Sequence, residues 1–267
     1  MKIQSNLQTK HFANQMNVTE AKHSKAAREL ATGKKVNTAA DDAVALSISE
    51  KLLKEAKTLR AGSNNISYGI NAANIADGAM ASIADSLGDI EENTVRAMNG
   101  LYSESDRQIL QTANEASVET IKSSINQATY NEKKLLDGSA GDINIFTGSS
   151  SSQISEMDAK AAMAGLENFD ISGNPDNITK ESIDSAYSNL SAMRSKLGAE
   201  VNGFEHAYNS NLNTEENVTA AISRKVDAEM NESVTRYKSA GVVGAAQNMA
   251  MKNQMDSQES LVNRLMQ

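Results

Sequence analysis

One apolar seam runs from residue 66 to residue 97. Ile66, Ile70, Ala73, Ala76, Met80, Ile83, Leu87, Ile90, Thr94 and Ala97 recur at steps of three and four, sustained over about four heptads. Such spacing marks one face of a long helix, and a helix with one apolar stripe needs a partner to cover it. Gly100 ends the helix, and Ser103-Glu104-Ser105-Asp106 supplies a capping hydroxyl and acidic first-turn charge for the next. Leu110, Val118, Ile121, Ile125 and Ala128 give that second helix its stripe, and the short connection makes the two antiparallel.

A third long helix follows from Ile183, Tyr187, Leu190, Met193, Leu197, Val201, Phe204, Tyr208, Leu212, Val218, Ile222 and Val226. Only 4% of the 267 residues are aromatic, with no Trp, so thin helix-to-helix contact is expected rather than a thick core. Pro175, the single proline, leaves nearly all of the chain free to be helical. Between the second and third helices the pattern changes. Asp137-Gly138 and Gly141-Asp142 are turn signals, Ile143-Asn144-Ile145 alternates, and Gly148 to Ser152 bends the chain before Gln153-Ile154-Ser155. A small β-hairpin is expected there, over about 137–157.

The two ends carry weaker stripes. Ile3, Leu7, Phe12, Met16, Ala27 and Leu30 suggest one helix; Val234, Tyr237, Val242, Val243, Ala246, Met249, Leu261 and Leu265 suggest another. They read as two strands of one coiled coil, each too weakly apolar to be stable alone and expected to be disordered until neighbours order it. Residues 1–35 carry a balance of +5 and residues 236–267 of +2, leaving the middle at −15. Like-signed ends do not attract, so apolar burial must join them. The expected fold is all-α: an elongated antiparallel helical bundle with paired terminal helices and a small mid-chain β-hairpin. Residues 1–35 with 235–267 form a terminal coiled-coil domain, and residues 36–234 form the bundle.

No catalytic, metal or cofactor site is expected. The three histidines, His11, His23 and His206, stand apart, and the absence of cysteine removes thiolate sites and disulfides. Adjacent Asp41 and Asp42 point apart on a helix and serve better as caps than as a catalytic pair. Gly241-Val242-Val243-Gly244 lacks the Lys-Ser/Thr of a phosphate loop, and the basic ends have few aromatics for stacking, so no nucleic-acid role is expected. No apolar run spans a bilayer, and the stretch MKIQSNLQTKHF has no secretory-signal core.

Residues 30–49, LATGKKVNTAADDAVALSIS, resemble the bacterial flagellin signature in which a helix stops at Gly, crosses a basic linker and restarts at Asp-Asp-Ala. Gly33, Lys35, Asn37, Asp41 and Asp42 are the linker residues, with Gly33 as the left-handed stop and Asp41 or Asp42 as the N-cap. The family's next glycine is here Ala45. Asn65 to Ile70, Ala76 to Met80, Asn131 to Gly138 and Leu190 to Ala199 resemble later blocks in the same order.

The resemblance implies a filament subunit that is exported without a cleaved signal and works outside the cell in the flagellum. Its termini would line a central channel, with Leu7, Phe12, Met16, Leu30, Val242, Met249, Leu261 and Leu265 packing between copies. The bundle would form a second tube around that channel, with no outer domain. Expected partners are further copies of the chain, the hook-filament junction and filament cap proteins, the export apparatus and an export chaperone. Over 87–97, LGDIEENTVRA, many flagellins carry an Arg-rich surface used between subunits and by the animal innate flagellin receptor. Leu87, Asp89, Glu92 and Asn93 occupy it here, with Asp89 at the usual Arg and Asn93 at the usual Leu. Losing a cation and an anchor weakens such an interface. The tail beyond Gln254 matches the family more loosely. A hook-filament junction protein is the near alternative, and a soluble helical signalling hairpin the more distant one.

Overall fold

In the structure, a computed structural model that describes residues 2–166, 169–173 and 177–265, the 66–97 seam lies on one helix and is covered along its length. Side chains are described within those ranges except at 2–9, 177–179, 261 and 265. The elements run α1 (Lys2–Thr32), α2 (Ala39–Ala97), α3 (Glu104–Gln127), β1 (Thr129–Tyr130), β2 (Lys133–Lys134), β3 (Ile143–Phe146) and β4 (Ser151–Ile154). A one-turn α4 (Ala159–Ala162) and a 3-10 turn (Ala164–Leu166) lead to α5 (Asn177–Val226) and α6 (Met230–Leu265). Contacts divide the chain into two units, Met1–Glu55 with Asn217–Gln267 and Ala56–Glu216, so the division falls inside α2 and α5 rather than at the linker.

The unit Ala56–Glu216 is built on α2, α3 and α5. Met80, Ile83, Leu87 and Ile90 are fully buried, packed with Ile121 and Ile125 of α3 and with Ile183, Leu190, Leu197 and Phe204 of α5. Ser103 caps α3 in a reciprocal box with Asp106, whose side chain accepts from the Ser103 N–H. The α5 helix runs against α2. As α2 numbers fall from Ala84 to Asp77 to Arg60, their α5 partners rise from Tyr187 to Arg194 to Glu215. Buried Thr94 keeps its hydroxyl satisfied by donating to the Ile90 carbonyl at 2.6 Å, so a polar residue fits the seam.

The expected hairpin is present: β3 and β4 pair antiparallel, Ile143 opposite Ile154 and Phe146 opposite Ser151. A second, smaller hairpin precedes it, β1 with β2, closed by Asn131 and Glu132 at positive φ. The third stripe needs a correction at one turn. Leu212 is exposed, while Asn211 points inward and donates Nδ2 to the Thr147 carbonyl at 2.7 Å. That otherwise orphaned carbonyl is why a polar side chain takes the inward place.

In the other unit the termini are the two paired helices that the terminal stripes suggested. α1 and α6 run antiparallel and lend each other a face. Ala26, Glu29 and Ser233 are buried between them, and the rings of His23 and Tyr237 stack with centroids 4.3 Å apart.

Candidate functional site

The linker between α1 and α2 is closed by backbone and carboxylate hydrogen bonds. Gly33 stops α1 at φ +68, a left-handed conformation that a side chain disfavours, while its N–H still reaches the Glu29 carbonyl at 2.8 Å. The next residues pair with the segment joining α5 to α6. Lys34 bridges Asp227 antiparallel, the Lys35 N–H donates to the Val226 carbonyl at 2.7 Å, and the Ala228 N–H donates to Gly33 at 2.9 Å. Lys35 Nζ adds a bond to the Arg224 carbonyl at 3.0 Å, and Asn37 Nδ2 one to Lys34 at 2.7 Å. Val36, Ala45 and Val226 make a small apolar plug beneath, with Leu46 against it.

The two aspartates divide the work that the sequence left open between them. Asp42, in extended backbone at φ −165, accepts from the Ala45 N–H at 2.8 Å and is the N-cap of the long helix. Asp41 instead turns back. One of its oxygens accepts from the N–H groups of Asn37 and Thr38 and from the Thr38 hydroxyl, and the other lies 3.4 Å from Lys25 Nζ. Burial pushes the Asp41 carboxyl up, but the donors from Asn37, Thr38 and Lys25 together outweigh it and hold it at about 2, below the usual 3.8.

Because the folded pKa is depressed, the folded linker binds fewer protons than the unfolded chain between those values. The stabilisation is present above pH 3.8 and is lost as pH falls to about 2. We expect the amide protons of Asn37 and Thr38 to lose exchange protection over that window. In Asp41→Asn their protection starts low and stays flat. A wild-type profile without the acid transition would show that the carboxylate does not hold the linker.

The surface expected at 87–93 is rearranged. Leu87 is fully buried in the bundle, because it falls on the seam, and so presents no side chain to a partner. Asn93 is half-buried and donates Nδ2 to Oδ1 of buried Asn114 at 3.0 Å, tying α2 to α3. Only Asp89 and Glu92 are exposed, with Glu92 paired to Arg96. The face they share is acidic. Burial first, and then the charges of Glu91, Asp85 and Asp89, push the nearby Tyr187 phenol up.

Of the terminal packing residues, Phe12, Met16 and Leu30 are half-buried, whereas Val242 and Met249 are 71% and 73% exposed. Leu7, Leu261 and Leu265 lie outside the described side chains. Sequence reasoning missed Glu29, which is buried and accepts from Arg236 Nη2 at 2.7 Å and from Ser233 Oγ at 3.1 Å. Nothing local announces it, since both partners lie about two hundred residues away in sequence, at the start of α6. Among the described residues no cluster of three His, Cys, Asp or Glu side chains could hold a metal, and no helix is long and apolar enough to cross a membrane.

The linker thus ends one helix on glycine, pairs with the α5–α6 junction and restarts the next helix at Asp42. The family model described as the bacterial flagellin N-terminal helical region matches residues 3–141, more than half of the chain. The chain belongs to the bacterial flagellins. The flagellin C-terminal helical region matches residues 181–265. Flagellins of Halalkalibacterium halodurans and Bacillus subtilis each align over the whole of both chains at 28% identity.

Two solved structures share the fold. A Bacillus cereus flagellin covers 55% of this chain and 88% of its own at TM-score 0.50 and 19% identity. A putative flagellar hook-associated protein of Vibrio parahaemolyticus covers 70% of this chain and all of its own at TM-score 0.61 and 14% identity. This flagellin is accordingly a structural subunit of the extracellular flagellar filament, in a family of structural proteins.

Proposed function

We propose that the terminal helices, residues 1–35 with 235–267, are the surface through which copies of this flagellin join, with the linker from Gly33 to Asp42 as the joint that sets them in place. The observation that carries the reading is the apolar side chains that the α1–α6 pair leaves uncovered. Ala26, Glu29 and Ser233 are buried between the two helices, with half-exposed Arg236 reaching Glu29 from the edge, while Val18, Val242, Val243 and Met249 stand in solvent. Burying such side chains against a neighbour contributes about 1.5–3 kcal/mol each, enough over a few contacts to drive association.

Heating and cooling the purified chain should give long helical filaments in electron micrographs. Val242→Asp with Met249→Asp should abolish them while leaving the helical content of the monomer unchanged. Filaments from the double variant would remove α6 from the joining surface.

The finer partners follow from the same faces. The hook-filament junction and cap proteins would meet the terminal helices at the two ends of the filament. The export apparatus and a chaperone would handle the chain before assembly, without a cleaved signal. The acidic 89–92 surface supports weak activation of the animal innate flagellin receptor. A reporter-cell assay should show low signalling from the wild-type chain, rising in Asp89→Arg; strong wild-type signalling would contradict it.

A further inference from the structure

The chain contains two Asn-Gly dipeptides, Asn99-Gly100 and Asn202-Gly203, and all four residues are exposed to solvent. They differ in backbone setting. Asn202 and Gly203 sit in the interior of α5, where the Gly203 N–H is part of the helical ladder and the helical backbone holds it away from the preceding side chain. Asn99 and Gly100 lie in the turn after α2, ahead of the Ser103 cap.

In that turn the Leu101 N–H donates to Asn99 Oδ1 at 3.0 Å. This bond folds the side-chain amide back over the Gly100 peptide and draws electron density from Cγ. The Gly100 N–H itself makes no hydrogen bond among the described residues, and nothing lies within 4 Å of where a Gly100 Cβ would stand. The nucleophile is therefore free and the electrophile is polarised.

We infer that Asn99 is a site of spontaneous deamidation, and that Asn202 is protected from the same reaction by its helix. The Gly100 backbone nitrogen attacks Asn99 Cγ, forming the carbon-nitrogen bond of a five-membered succinimide. The Gly100 N–H proton goes to solvent base, and the Asn99 side-chain nitrogen, protonated in turn, leaves as ammonia. Water then adds to either succinimide carbonyl and breaks one ring carbon-nitrogen bond, giving aspartate or isoaspartate. The net change is loss of ammonia and gain of water, with no redox step.

The product places a new carboxylate just beyond the C-terminal end of α2, where the negative end of the helix dipole disfavours it. Arg96, one turn earlier and already paired with Glu92, is the nearby cation. The isoaspartate form also lengthens the main chain by one methylene, so the last turn of α2 should loosen.

The test is peptide mass mapping, with isoaspartate detection, of the full chain incubated at mildly alkaline pH in its native state and in urea. The native chain should convert at Asn99 about tenfold or more faster than at Asn202, because the helix must open first at Asn202. In urea the two sites should react at similar rates. Gly100→Ala, which meets open space and so keeps the fold, should slow conversion at Asn99 by about tenfold or more. Equal native rates at both sites, faster reaction at Asn202, or no native reaction at Asn99 while the urea sample converts would each overturn the assignment.

Discussion

Replacing Gly62 by alanine is expected to lift the β3–β4 hairpin off α2. A Cβ there would stand 2.2 Å from the Thr147 carbonyl oxygen, 2.3 Å from its carbon and 2.6 Å from the Gly148 nitrogen. All three are backbone atoms, so no side chain can rotate away. The same short stretch is pinned from other sides by Asn211 on the Thr147 carbonyl and by Asn65 on the Phe146 carbonyl. Relief must come from moving the hairpin and breaking those bonds, a loss of about 3 kcal/mol.

Denaturant unfolding measures the loss, and hydrogen exchange should show it centred on residues 143–154. Gly78→Ala is the matched control. It lies on the same helix with nothing within 4 Å of its Cβ position, and should stabilise by about 0.5–1 kcal/mol through helix propensity. A Gly62→Ala chain as stable as wild type would mean that the hairpin is not seated on α2 as described.

Leu87→Ala should cost about 3 kcal/mol by lost burial and the cavity left behind. Leu87 is fully buried among α2, α3 and α5, whereas exposed Val95, two turns on, should tolerate alanine within about 0.5 kcal/mol. The experiment separates two roles for one residue. If Leu87 were an assembly contact, truncation would reduce filament formation and leave monomer unfolding unchanged. The burial predicts the reverse order, with monomer stability falling first and assembly following from it.

The bundle was legible because its signals are periodic and local. The 66–97 seam needs only spacing, the Gly33 stop and a restart at Asp41 or Asp42 need only backbone chemistry, and the β3–β4 hairpin declares itself through turn residues and alternation. The β1–β2 hairpin escaped because its strands are two residues long and one is Lys-Lys, too short and polar to alternate. Leu212 and Asn211 exchanged places because the orphaned Thr147 carbonyl, far away in sequence, sets which faces inward.

Asn93 was assigned to a surface by resemblance, yet its bond to Asn114 could be found only from the packing of α3. Gly62 carried a readable flag, since a glycine inside a strong helical pattern often marks a close approach. Its partner across the interface was not readable. Val242 and Met249 read as packing between copies, and within one chain both stand in solvent, while Ala26, Glu29 and Ser233 are buried between α1 and α6.

The Glu29 cluster also decides how α1 and α6 can be aligned. A pair of helices joined by small and polar residues could slide by a turn at little cost in apolar contact. Sliding α6 by one turn carries Arg236 and Ser233 about 5.4 Å along the axis, leaving the Glu29 carboxylate buried without donors, a cost of about 3–5 kcal/mol. These contacts lie beside the linker, at the closed end of the pair. The two helices are thus indexed like a zip fastened at its base, with only one tooth-for-tooth match, and pairing is expected to start at the joint and run outward to the tips.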